Sequence, residues 1–376
     1  MFKNASIFKI TLPEAMAYTT LELGLNAQAF KPCSPSQDSS SGWVPPRGEV
    51  HGPLVENIAG HLFLNLMTET KSVPKDALDR AVADESAKIL QATGRKPGRK
   101  ETRELRENKY LEMLPMAFSS RSAAMVWIDL ERKRLVIDAT SGTVLDLVQS
   151  ALVQSIEGVT LQNLVTQLNP AGVAAAWLTE GDNLSVDGRG GFYVARGCEL
   201  QSCDENKATV RYVKHHLDND EVRAHLAAGK VVRRLDVTYK DRVGLTLGET
   251  MTLRKLNFLD VVFDGRAEAV DRFDADAVLL AGELSPLIDD LIEVFGGEAK
   301  EEPAQAAQDT HAAGDGPDPL FDQAKAIVLE NRKASISMVQ RYLQIGYNRA
   351  AQLLEDLEKA GIVSPMASDG SRKILA

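Results

Sequence analysis

The chain has 376 residues, 44% of them hydrophobic, which is enough for two or three domains that bury their own cores. No apolar run approaches bilayer-spanning length, and the start, MFKNASIFKITLPEAM, mixes polar residues into its apolar stretch, so neither membrane insertion nor export is expected. A formal net charge of −10 and three cysteines that cannot all pair internally point to an acidic protein with reduced thiols in a cytoplasm; the charge alone argues against a nucleic-acid partner.

In chain order, short β-branched runs at 6–12, 61–67, 123–129, 134–139, 208–213, 231–239, 242–247, 252–258 and 276–282 predict strands. Helix-period segments lie between them at 13–29, 75–92, 99–114, 143–156, 219–228 and 284–295. Strands come both paired and separated by helices, without a regular βαβ repeat, which predicts an α+β fold with antiparallel sheets. In RKPGRKETRELRENK (95–109), Arg99, Arg103 and Arg106 fall at i, i+4 and i+7 on one helical face. That face reads either as a solvated surface laced with Glu–Arg pairs or as a phosphate-facing stripe.

Signatures of catalysis are sparse. Asp129, Glu131 and Lys133 in WIDLERK resemble elements of metal-dependent nucleases, but those require a longer gap between the two carboxylate positions. The glycines of DGRGG lack the G-K-[ST] and the following apolar helix of a phosphate loop, so a tight turn is expected there. Cys198, Cys203 and His215 match no usual zinc spacing, and neither a metal nor a cofactor is expected. Trp43, in GWVPP, is expected to be structural.

Segment 298–318 holds six acids against one lysine, half of the ten excess negative charges. It is rich in Ala, Gln, Pro and Gly and has no hydrophobic period, so 299–317 reads as a flexible acidic linker between a unit at 1–298 and another at 318–376. From Pro319 onward eight Lys/Arg face six acids. Asp318-Pro319 opens a helix to about Asn331, Ser335 can cap a second, and a third runs over about 348–360 to Gly361. Its inward face is Ala350, Leu353, Leu354, Leu357 and Ala360, which leaves Asn348, Arg349, Gln352, Glu355 and Lys359 outside. Short strands flanking MASDG complete a winged helix-turn-helix, whose third helix enters the major groove N-terminus first; protein docking is the other use of this shape.

The stretches DPLFDQA, RKASIS, VQR, IGYNRAA, GIVS and the Gly-Ser-Arg of the wing closely resemble the gamma domain of FtsK, over essentially all of 318–376. That resemblance implies reading of an oriented G-rich sequence and contact with a site-specific recombinase. It places Arg341, Asn348 and Arg349 at base- and backbone-contacting positions and Arg372 on the wing. Gln352 stands where the family usually has arginine, so recognition is expected to be relaxed or shifted, since glutamine prefers adenine and arginine guanine. The family's motor domain is missing.

Upstream, AFKPCSPSQDSSSGWVPPRG, LPMAFSSRSAAMVWID, AGKVV, LRKLNF and RFDADAVLLAGELSPLIDDLIEVFGGE resemble the RdgC family, in the same order over residues 1–298. The resemblance implies a ring-shaped homodimer that encircles double-stranded DNA without sequence preference, restrains a RecA-type recombinase and is not an enzyme. It reweighs the net charge, since such rings are lined with Lys and Arg. Lys214 matches a basic position of that family; Arg211, Lys230, Arg233, Arg234, Arg254 and Lys255 are further candidates for the lining. Strand alternation sends Arg233 and Arg234 to opposite faces, so only one of them is expected to line the hole. Phe118 matches a family phenylalanine near the dimer contact, and by residue type alone also reads as a core aromatic. The expected function is control of recombination by a nucleoid-associated DNA clamp whose tail biases where it settles. The alternative is a DNA-partitioning or nucleoid-organising factor of a mobile element whose tail docks a site-specific recombinase.

Overall fold

The computed structural model describes all residues except 14–17, 181–190, 205–206, 264–271, 300–317, 333, 344, 346, 366–371 and 376, and describes no side chain for Ser337, Arg341, Tyr347 and Asn348. The expected linker from residue 300 on, the DGRGG turn up to Gly190 and most of the expected wing therefore lie outside the described residues.

Twelve described strands join in one sheet through antiparallel pairings: β1 (Ala5–Thr11), β2 (Ser39–Val44), β3 (Val55–Ile58), β4 (His61–Ser72), β5 (Phe118–Asp129), β6 (Arg134–Ile137), β7 (Thr160–Asn163), β8 (Phe192–Gln201), β9 (Thr209–Val213), β10 (Val231–Tyr239), β11 (Val243–Leu247) and β12 (Thr252–Phe258). Their spatial order is β2-β4-β5-β6-β1-β12-β11-β10-β8-β9, with β3 on β4 and β7 on β1. The described helices are α1 (Tyr18–Ala27), α2 (Lys75–Thr93), α3 (Arg99–Met113), α4 (Gly142–Ser155), α5 (Pro170–Glu180), α6 (Asp220–Ala227), α7 (Arg272–Val294), α8 (Phe321–Asn331), α9 (Ile336–Leu343) and α10 (Tyr347–Lys359). The architecture is α+β, as the strand and helix patterns predict.

Side-chain period decides which sheet faces are covered. In the β4–β5–β6–β1 half both faces are apolar: Leu62, Leu64, Val126, Ile128, Leu135 and Phe8 join the core under α1 and α4, whereas Phe63, Trp127, Val136 and Ile7 join the core containing α7. In the β8–β12 half the buried positions, such as Leu200, Leu235, Val237, Leu245 and Leu253, belong to the second core only. The opposite face of that half is left open. Trp43 is structural: its indole N–H donates to Ser155 Oγ at 2.9 Å, beside the point where α1 meets α4. Gly24 permits that approach, because a Cβ there would lie 1.9 Å from the Ser155 carbonyl oxygen.

Segment 276–282, expected as a strand, lies inside α7. Its apolar residues continue a helical stripe, Ala277, Leu280, Ala281, Leu284, Leu287, Ile288 and Leu291, that runs past Pro286. Gly282 does not break the helix; it faces open space, where an added Cβ would touch nothing. The β4–β5 ladder extends from His61↔Asp129 to Ser72↔Phe118, and its outer half leaves the body, since Phe118–Ala123 are all exposed while most of Ala124–Asp129 is buried. With α2 and α3, which buries no residue, it forms a projecting arm.

In the C-terminal unit Ser335 caps α9 as expected, its Oγ accepting the Met338 N–H at 3.3 Å, and Gly361 at φ 71° ends α10. Val363 and Ile374 form an antiparallel bridge beyond it. α9 lies against α4 and α10 against β7.

Candidate nucleic-acid interface

The open face of the β8–β12 half carries a row of arginines. Arg211 on β9 stands opposite Glu199 on β8, Glu199 opposite Arg234 on β10, and Arg254 on β12 opposite Thr246 on β11. Four strand steps separate the ends of this row, roughly 19 Å at the usual strand spacing. Burial first, and repulsion from Arg234 second, lower the Arg254 pKa from its ordinary value. Two guanidiniums are thus close enough to repel, a position that favours an anion between them.

Cations differ in whether a carboxylate already neutralises them. Arg234 reaches Glu199 at 3.4 Å and Arg233 pairs with Glu249. Arg211, Lys214, Lys230, Arg254 and Lys255 have no ion-pair partner among the described residues. Arg196, not singled out from sequence, joins them: it is exposed on β8, and its carbonyl accepts the His215 N–H at 2.9 Å, which sets it beside Lys214.

Three register shifts interrupt these strands, between Val232 and Arg234 and between Leu235 and Val237 on the β10–β8 pair and between Gly244 and Thr246 on the β11–β12 pair. Val232 pairs with Leu200 but Arg234 with Glu199, so Arg233 is an extra residue on β10. Val232, Leu235, Val237 and Tyr239 are buried, and both Arg233 and Arg234 lie off the buried side. Simple alternation, which sends one of the two arginines to each face, fails because the bulge shifts the period by one. On β12 the register slips between Gly244 and Thr246 of its neighbour, and Lys255 takes φ 52°, the left-handed region uncommon for a lysine. Lys214 shares that conformation at φ 54°, just beyond β9.

The helical stripe on α3 is divided. Arg103 pairs with Glu107 at 3.4 Å and Arg106 with Asp79 of α2 at 2.7 Å, while Arg99 has no ion-pair partner among the described residues. This is the surface laced with acid–base pairs rather than an unneutralised stripe. Phe118 is 89% exposed at the tip of the arm, with Met116 and Leu111 also exposed, so it is no core aromatic of this chain.

The nuclease-like triplet does not converge. Asp129 is 1% exposed and accepts the N–H groups of Glu131 at 3.1 Å and Arg132 at 3.0 Å and the Ser285 hydroxyl at 3.1 Å. Burial pushes its pKa up, but the Arg132 N–H, the Ser285 hydroxyl, and the charges of His61 and Arg132 outweigh it and hold the carboxyl below its usual range. Glu131 projects into solvent and Lys133 turns the β5–β6 connection at φ 53°. Cys198 is buried, its thiol pushed up to about 12 by burial and by Asp236, while Cys203 and His215 are exposed. Among the described residues no group of three His, Cys, Asp or Glu side chains could hold a metal ion, and no helix is long and apolar enough to cross a membrane.

In the C-terminal unit the expected reading residues fall in unlike places. Arg349, expected outside, is 7% exposed and makes a two-pronged pair with Asp318 at 2.8 and 2.9 Å. The Arg372 side chain is also 7% exposed and bonds Glu358 at 2.6 Å. Gln352 is exposed and donates to Asp356 at 3.1 Å. The side chains of Arg341 and Asn348 lie outside the described residues. Sequence spacing missed the Arg349 pair because its partner is 31 residues away, ahead of α8.

Comparison with known proteins finds two families along the chain. Residues 1–298 match the family model described as "Putative exonuclease, RdgC", and residues 315–376 match the "Ftsk gamma domain". Relatives named "Recombination-associated protein RdgC" include those of Cupriavidus necator, 39% identical over 80% of this chain and 99% of the relative, and Herminiimonas arsenicoxydans, 37% identical over 79% and 98%. The Burkholderia cenocepacia protein of the same name is 36% identical over 81% of this chain and 99% of its own length. Nearly the whole of each relative is spanned by about four-fifths of this chain.

Proposed function

The chain belongs to the RdgC family and carries an FtsK gamma domain at its C-terminus, and from this we propose that it is a non-enzymatic clamp on double-stranded DNA that controls recombination. The observation that carries the reading is the open β8–β12 face, where Arg211, Lys214, Arg254 and Lys255 have no carboxylate partners among the described residues. Cations in that state neutralise phosphates and release counterions without first breaking an ion pair. The exposed arm tip around Phe118 serves a second copy of the chain, which closes a ring around the duplex in the cytoplasm and limits access of a RecA-type recombinase. The C-terminal unit acts as a winged helix that adds sequence preference through the start of α10.

Closed-circular and linear duplexes of one sequence, loaded at low salt and challenged with high salt, test encirclement. The circular form is expected to retain protein that slides off the linear one; equal loss from both rejects the ring. Phe118→Glu is expected to convert dimer to monomer in sedimentation and to abolish that difference. In the same mixtures with Mg²⁺ the DNA is expected to stay intact, and metal-dependent cutting would restore the nuclease reading of Asp129. A second reading is favoured by the burial of Arg349 and Arg372, which suits a unit that docks a site-specific recombinase rather than one that reads bases.

A further inference from the structure

α4 has two unlike faces. Val148, Leu152 and Ser155 point into the body, where Ser155 meets the Trp43 indole. Asp146, Gln149, Ser150 and Val153, at i, i+3, i+4 and i+7, form the opposite stripe, which carries the polar residues of a helix surface that ordinarily faces water. Here that stripe is covered: Asp146 and Gln149 are each 1% exposed and Ser150 is buried. The element lying against α4 from the C-terminal unit is α9, which contributes its own buried amide, Gln340. Both amide atoms of Gln149 and the Gln340 Oε1 lack hydrogen-bond partners among the described residues. Asp146 and Ser150 of the same stripe do have partners, so the contact is satisfied in part, and each orphaned amide lowers its net hold.

The chain's route makes even a weak contact effective. Glu298 bridges to Thr166 and pairs with Lys9 of β1 at 2.6 Å, which fixes the start of the acidic span close to β7. The chain runs only 20 residue steps from Glu298 to Asp318, so at roughly 3.4 Å per residue the C-terminal unit cannot move farther than about 70 Å from there, which keeps it at a local concentration on the order of millimolar around the α4–β7 surface. While it is docked, α10 is against β7 and Arg349 and Arg372 remain engaged with acids.

We propose that the α4–β7 surface of the body is a docking site for the chain's own C-terminal unit, and that duplex DNA and this surface compete for that unit. The proposal rests on reading the unit as a duplex binder. Undocked, the unit meets DNA through α10; docked, it is withheld, and its apparent affinity falls by the fraction of molecules in the free form.

Amide hydrogen exchange on the full-length protein, with and without a duplex, tests it. In Gln149→Arg, which places a charge under α9, α4 and β7 are expected to exchange about tenfold faster than in the parent, and DNA protection of α10 to appear at about tenfold lower duplex concentration. Gln149→Leu removes the orphaned amide while keeping the stripe covered, so it shifts both readouts the opposite way and answers the objection that the arginine merely unfolds α4. Adding duplex to the parent is expected to raise α4 exchange as the arginine does. If neither substitution changes α4 exchange, the surface is not a docking site and the proposal falls. It falls also if the arginine frees α4 and α10 is protected by DNA, yet duplex leaves α4 exchange of the parent unchanged. Should α10 of the freed variant gain no protection at any duplex concentration, the duplex-binding reading of the unit has failed, and the competition with it.

Discussion

The open β8–β12 face and the C-terminal unit treat their arginines in opposite ways. The face belongs to an acidic body yet leaves Arg211 and Arg254 without an ion-pair partner among the described residues, and holds Arg254 where a second guanidinium repels it. The C-terminal unit is net positive in sequence yet spends Arg349 and Arg372 on Asp318 and Glu358, each arginine side chain nearly sealed from solvent. Net charge by segment therefore does not tell which region holds its arginines without acidic partners among the described residues. What matters is whether a cation is already neutralised and how much burial holds it in place.

The largest expected effect separates the two regions directly. Replacing Arg211, Lys214 and Arg254 together with alanine should lower duplex affinity of the whole chain about a hundredfold at low salt. It should flatten the plot of log affinity against log salt by about 2.7, three contacts at about 0.9 each, for every sequence alike. Fluorescence anisotropy on two unrelated duplexes across a salt series measures both, and an unchanged slope would remove the face from the interface.

Arg349→Ala should act on stability. Removing one member of a buried ion pair takes the cation from the Asp318 carboxylate, which keeps the Leu320 N–H at 2.9 Å, at a cost of about 3 kcal/mol, enough to melt the C-terminal unit early while the sheet body melts as before. The double replacement with Asp318→Ala should recover part of that loss, the signature of a coupled pair. If Arg349→Ala instead leaves melting alone and erases preference for a G-rich site, the arginine is a base reader and the contrast between the regions weakens.

The sequence made the fold class legible where period was clean, as in β10, whose Leu235, Val237 and Tyr239 alternate, and in α10, whose Leu353, Leu354 and Leu357 recur at helical spacing. It was silent on β2, where SSSGWV has no alternation to read and its residues are held by pairing with β4. It misjudged 276–282, because a short apolar run with a glycine looks like a strand until the stripe beyond it is counted. At the candidate site, the residue types were readable but their facing was not. One inserted residue at Arg233 reverses which neighbours share a side, and such a bulge depends on the partner strand rather than on local sequence. The Arg349–Asp318 pair escaped for a similar reason: it is set by where α8 begins relative to α10.

Lys255 gives the smallest effect and the finest test of the contrast, because there strain and charge can be separated. Its φ of 52° costs a lysine on the order of 1 kcal/mol that glycine does not incur, whereas glycine loses roughly as much by loosening the unfolded chain. Lys255→Gly should therefore leave the melting temperature nearly unchanged. If the β12 bulge aims the lysine at phosphate, the same replacement removes one neutralised charge and flattens the salt slope by about 0.9. Lys255→Met, which removes the charge but keeps the strained side chain, should give the same slope with no compensating relief. A slope equal to the parent's in both variants would show that the bulge turns Lys255 away from the duplex, narrowing the interface to the row from Arg211 to Arg254.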